Sequence, residues 1–231
     1  MIDRIDFKTM GLPPAWISRA IARSTNVSNS EEIRKILGEP LPRLANFNQL
    51  KPEIVAMFAP GGVLEIIQKK LGTLSRKKGK KILPAHNTIA CVDDGDTIYV
   101  GVEFLEQFGS DENLLAGILS HEWGHMMSDL PRNVNWNSLT WDQLFELRRE
   151  EEAYADGFAG RIMYLMGYSV EPMVQFLEKM ERKRNPKLPT LRYHNLATRR
   201  AILQEAFETE KRAIEVARRL FFPTWQFINQ G

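Results

Sequence analysis

The sequence predicts an α+β chain that is mainly α-helical and carries one small antiparallel β-hairpin. Three observations lead there. Beyond residue 110, apolar residues recur every three or four positions along four segments, the period of a helix that buries one face. Between residues 88 and 100, Thr-Ile-Ala-Cys-Val and Thr-Ile-Tyr-Val flank Asp93-Asp94-Gly95-Asp96, two β-rich runs around a turn signal. At 231 residues, 43% of them hydrophobic, the chain is long enough for one well-buried core with at most a small helical appendage.

Taken in order, the N-terminal third reads as helices broken by proline. Pro13-Pro14 opens a segment with Trp16, Ile17, Ala20 and Ile21 on one face. Ser28 or Ser30 caps a second helix, holding Ile33 and Ile36, that stops at Gly38-Glu39-Pro40-Leu41-Pro42. A third is expected from about Gly62 to Leu71. The basic run Arg76-Lys77-Lys78-Gly79-Lys80-Lys81 has no interleaved aromatics and reads as a solvated loop, so the domain boundary is placed there: residues 1–82 a helical N-terminal region, 83–231 the functional domain. After the hairpin come a helix starting near Ser110 or Asp111 and ending before Pro131, and one capped by a Thr140–Gln143 box that runs to Gly167. A helix from Ser169 to about Lys183 and another from about Leu196 to Leu220 follow. Phe221, Phe222, Trp225 and Phe227 then crowd a chain end, where residues are usually polar. That tail is expected to pack on the core, to plug the active-site groove, or to meet a partner.

Composition narrows the function. A formal net charge of +2 asks for no acidic partner, and no nucleic acid is expected. Cys91 is the one cysteine, so no internal disulfide is possible and a reducing, cytoplasmic setting is expected. Neither a signal peptide nor an apolar run long enough for a transmembrane helix is legible.

The chemistry concentrates at His121-Glu122-Trp123-Gly124-His125, the zinc-peptidase pattern His-Glu-x-x-His. Residues four apart lie one turn apart on a helix, so both imidazoles reach one ion. Glu122 is about 100° further round, placed to take a proton from water rather than to bind the metal. Leu114, Ile118, His121 and His125 share a stripe, which turns the pair inward. A catalytic zinc needs a third ligand and an open fourth position. The inward stripe of the next helix, through Phe145, Ala155, Ala159, Ile162, Met163 and Met166, passes through Glu152 and leaves Glu150 and Glu151 on other faces, where they read as an acidic, solvated patch. Asp156, one turn beyond, is placed to accept a hydrogen bond from a ligand imidazole. One Zn2+ per chain is therefore expected, held by His121, His125 and Glu152. His86 has no motif around it.

These two motifs, with Glu152-Ala153-Tyr154-Ala155-Asp156 as the second, resemble the HtpX and CAAX-prenyl-protease type of gluzincin across about residues 84–205. The resemblance implies a zincin-like catalytic domain and a metalloendopeptidase acting on protein or peptide substrates. Its soluble members, the minigluzincins, are the closer comparison. It also implies Glu152 as third ligand with Asp156 supporting a histidine, and Asn87, Thr88, Ile89, Ala90 and Cys91 as the edge that binds substrate. His194 is implied as oxyanion stabiliser, with Arg200 as its support. Asn195 stands where that family usually has proline. Two other readings remain open: a regulatory metalloprotease of the ImmA/IrrE kind, whose second motif ends in asparagine where this chain has Asp156, and a non-catalytic binding module stabilised by metal, in which Glu122 would have no use.

Overall fold

A computed structural model of the protein describes residues 42–77, 81–93, 97–128, 139–183 and 193–221. The two helices expected before residue 42, residues 78–80 of the basic run and the tail beyond Phe221 lie outside the described residues. Four short strands, β1 (Arg43–Leu44), β2 (Lys81–His86), β3 (Ala90–Val92) and β4 (Thr97–Gly101), form one sheet in the order β1-β2-β4-β3. The expected hairpin is present: β3 and β4 run antiparallel with Cys91 opposite Tyr99. Its first strand begins at Ala90 rather than Thr88, because Asn87 turns the chain with a φ of 66°.

The hairpin is not alone. β2 pairs parallel with β4, from Lys81 opposite Thr97 to Ala85 opposite Gly101, and antiparallel with β1. Pro84 and the adjoining lysines disguised β2 as loop, since proline removes a ladder donor. The domain boundary drawn at 82/83 consequently falls inside a strand. It also divides one core: Leu64, Ile67 and Leu71 from the N-terminal side pack with Leu115, Ile118 and Leu119 from the other.

Seven α-helices are described: α1 (Pro52–Phe58), α2 (Val63–Leu74), α3 (Val102–Phe108), α4 (Glu112–Met127), α5 (Trp141–Met166), α6 (Glu171–Lys183) and α7 (Leu196–Phe221). The seven-residue helices α1 and α3 went unforeseen, being too short to establish a period. The longer ones start where their caps put them. Asp111 Oδ1 accepts from Leu114 N at 3.0 Å. The Thr140–Gln143 box closes both of its bonds, and α5 ends at Gly167 with φ 81°. Asn195 Oδ1 accepts from Thr198 N at 2.9 Å, so the departure from proline installs an N-cap for α7.

Helix α4 lies at the centre, buried on nearly every side. It meets α2, α5, α6 and β3. Leu114, Leu115, Ile118, Leu119, Trp123 and Met126 each leave water there, and each large apolar side chain contributes about 1.5–3 kcal/mol. Burial therefore positions this helix. Trp123 is anchored by an Nε1–H bond to Ser75 Oγ at 3.0 Å, and Lys77 Nζ closes the C-terminal end on Met126 O at 2.9 Å. On the far side of α5, Gly160 admits α7: a Cβ at that position would stand 2.2 Å from Leu203 O. No helix among the described residues is long and apolar enough to cross a membrane.

Candidate metal centre

The two metal motifs lie on α4 and α5, and the helices cross where side chains are smallest. A Cβ on Gly124 would fall 2.8 Å from Ala155 Cα and 3.1 Å from Ala155 O. Glycine at 124 and alanine at 155 thus permit near backbone contact, and the large polar groups on either side of the crossing are brought face to face. The helices run antiparallel there, so His121 meets Asp156 while His125 meets Glu151 and Glu152.

His121, His125 and Glu152 form a group able to hold a metal ion. His121 Nε2 and His125 Nε2 are 3.2 Å apart, with the rings edge to face. His121 Nε2 lies 3.2 Å from Glu152 Oε2, and His125 Nε2 lies 3.7 Å from Glu152 Oε1. Around a tetrahedral ion with ligand bonds of about 2.0–2.1 Å, donors stand about 3.3 Å from one another. The two Glu152 distances run to different carboxylate oxygens; with one ligand atom from each residue, the three donors lie within 4.8 Å of one another, near enough to share one ion after side-chain adjustment. His121 and Glu152 are buried and His125 is partly buried, and two imidazoles with a carboxylate are a donor set suited to zinc.

Electrostatics favour a cation at the same point. Burial alone would lift Glu152 towards its neutral form, yet the His125 and His121 imidazoles and the Arg148 guanidinium hold its carboxyl well below the usual range. Burial likewise opposes charge on His121. The Asp156 and Glu152 carboxylates outweigh it and push the imidazole up to about 10. Buried carboxylates demand positive charge, which a cation held at this point would supply.

Asp156 stands next to His121. Its Oδ1 is 2.9 Å from His121 Nδ1, turning Nε2 of that ring towards Glu152. It is fully buried and gripped by Arg199, whose Nε donates to Oδ2 at 2.7 Å and Nη2 to Oδ1 at 2.9 Å. Glu122 is 9% exposed on α4, and no described side chain hydrogen-bonds or ion-pairs with it. His194 is half-buried close to this cluster. Burial and the charge of Arg149 hold its imidazole below the ordinary histidine range; Asp156 pulls the other way and Arg199 adds to the lowering.

Three expectations need correcting. Arg200 pairs with α6, its Nη1 2.8 Å from Glu178 Oε1, and Arg199 is the arginine that pairs with Asp156. The signal was present in the sequence: Arg199 shares the three-and-four spacing of Ile202, Leu203 and Ala206, the buried face of α7. Glu151 is not on a solvated face. Its side chain is 16% exposed, with Oε1 3.3 Å from His125 Nδ1. Glu150 is also partly buried, and burial followed by repulsion from Glu146 pushes its carboxyl up to about 7. Arg148, missed altogether, is buried and bonds both Glu151 and Glu152.

The strand expected to bind substrate, β3, is an edge of the sheet and packs against α4, the helix that carries both histidines. Asn87 is exposed, Thr88, Ile89 and Ala90 are half-buried, and Cys91 is buried. His86 is outside the centre, 2.7 Å from Glu103. Comparison with protein-family models, curated proteins and solved structures finds no match for this chain.

Proposed function

We propose that the protein is a zinc-dependent metalloendopeptidase of gluzincin type. The observation that carries this reading is the convergence of His121, His125 and Glu152 on one point, with a buried Glu122, which no described residue engages, next to His121 on the same helix. Three protein donors leave a tetrahedral ion one open position, the condition for catalysis rather than for a closed structural site. Zinc held there would supply Lewis acidity, making water easier to deprotonate and a carbonyl easier to attack.

The chain's own residues account for the rest. Glu122 takes the proton from the attacking water and passes it to the departing amine nitrogen. Burial of its carboxylate keeps the proton transfer away from bulk solvent. His194, neutral at pH 7 by the lowering described, donates a ring N–H to the developing oxyanion, a contribution typically of about 100- to 1,000-fold. Arg199 and Asp156 keep His121 oriented throughout. An extended peptide adds to the open side of β3 along Asn87, Thr88, Ile89, Ala90 and Cys91, so that main-chain hydrogen bonds carry affinity with little dependence on sequence.

The test uses the full-length chain. One zinc per chain by elemental analysis, cleavage of an unfolded protein substrate, and loss of both on EDTA treatment are the expected results. Glu122→Gln should keep the zinc and lose cleavage. A Glu122→Gln protein that cleaves as fast as wild type overturns the mechanism.

A further inference from the structure

Each candidate ligand histidine has its second ring nitrogen within 3.3 Å of a carboxylate oxygen, near it but without the alignment of a hydrogen bond, and each carboxylate is held by an arginine. For His121 the partners are Asp156 and Arg199. For His125, Nδ1 lies 3.3 Å from Glu151 Oε1, and Glu151 Oε2 is bonded by Arg148 Nη1. The second set repeats the first one turn along both helices. Arg148 does more than its counterpart, because its Nη2 also donates to Glu152 Oε1 at 3.3 Å. Three and four residues separate Arg148 from the two glutamates, so a single planar guanidinium reaches both from the preceding turn. Glu151 thereby faces the metal-binding helix from a position adjacent to the ligand Glu152, without joining the three ligand atoms.

We infer that Glu151, clamped by Arg148, is the positioning residue of His125, fixing its tautomer and ring plane so that Nε2 points at the metal. The inference rests on the three-residue metal site proposed above. A carboxylate that accepts Nδ1–H leaves Nε2 as the unprotonated, ligating nitrogen and raises its basicity. With Arg148 on both, the Glu151 and Glu152 carboxylates are fixed relative to each other. The orientation of His125 and that of the third ligand are then set by one side chain.

The experiment measures zinc affinity of the full-length chain by competition with a chromophoric chelator, and the imidazole 15N spectrum of the zinc-loaded, histidine-labelled protein. Glu151→Ala should weaken zinc binding roughly 10- to 100-fold and move the Nδ1 resonance of His125 while leaving that of His121 in place. Asp156→Ala should do the reverse. Glu151→Gln keeps an accepting oxygen without the charge, so it should recover part of the affinity, and it stands in if the alanine variant does not fold. Wild-type affinity with an unmoved His125 resonance overturns the inference and leaves the three-ligand site standing. Equal movement of both histidines in Glu151→Ala overturns it too, by showing a general loosening of the helix pair. A wild-type chain that binds no zinc refutes the metal site itself and this inference with it.

Discussion

Gly124→Ala probes the helix crossing on which the centre depends. The added Cβ would stand 2.8 Å from Ala155 Cα, whereas carbon atoms in contact settle at about 3.5–4.0 Å. The shortfall is about 1 Å. It falls on backbone, so no side-chain rotation can absorb it, and α4 and α5 must separate. Overpacking of this kind costs about 1–3 kcal/mol, while alanine in place of a helical glycine returns about 1 kcal/mol. The net loss of stability is thus modest, about 2 kcal/mol at most. The metal site is the more sensitive reporter. The Glu152 oxygens, now 3.2 and 3.7 Å from the two imidazoles across the crossing, would be drawn away by a similar distance while the histidines, both on α4, keep their spacing, so the third bond of about 2.0–2.1 Å is lost. Zinc affinity should fall at least roughly 10-fold, as much as when a supporting carboxylate is lost. Chelator competition gives the dissociation constant and urea unfolding of the metal-free chain gives the stability. Adding Ala155→Gly should restore little, because it removes only the Cβ at 3.2 Å and leaves the backbone clash. Zinc affinity within a factor of about two of wild type in Gly124→Ala would refute the reasoning from close approach.

Further outcomes follow from the same geometry. Glu152→Ala should abolish stoichiometric zinc, read by elemental analysis, since two imidazoles alone leave the ion under-coordinated; retained zinc would mean another residue is the third ligand. Arg199→Gln removes the arginine partner of fully buried Asp156 and leaves it only His121, so the metal-free chain should lose up to about 3–5 kcal/mol in urea unfolding; a change below 1 kcal/mol would count against the pairing. Glu150 has a folded-state value of about 7 against about 4.3 when unfolded. Between those values the folded chain holds more protons, so stability is complete below the lower one and declines as pH rises through the upper. Glu150→Gln should therefore raise the melting temperature at pH 8 and leave it unchanged at pH 4; equal melting temperatures at pH 8 would place Glu150 in open solvent.

Local rules made much of the site readable. His121 and His125 are four apart and Asp156 lies four beyond Glu152, so the period of a single helix was enough to group them. Caps at Asp111 and Thr140 marked where α4 and α5 begin, for the equally local reason that unpaired N–H groups need nearby oxygens. The hairpin too was legible from its turn and its β-branched flanks. Arg199 was within reach by periodicity but was displaced by counting residues along a family resemblance.

What the sequence by itself determined, then, is which residues share a helix face and where the longer helices start and stop. Only the tertiary structure decided which faces meet. β2 depends on β1 and β4, partners distant in sequence, and nothing in residues 81–86 announces them. Glu151 was assigned to solvent because its own helix offers no reason to bury it. Its burial follows from Arg148 on one side and from His125 across the crossing that Gly124 and Ala155 allow. Helical phase is repeated at every turn and survives any packing. The distance and register between two helices are set by the few small residues at their contact, and those acquire meaning only once the partner helix is in place.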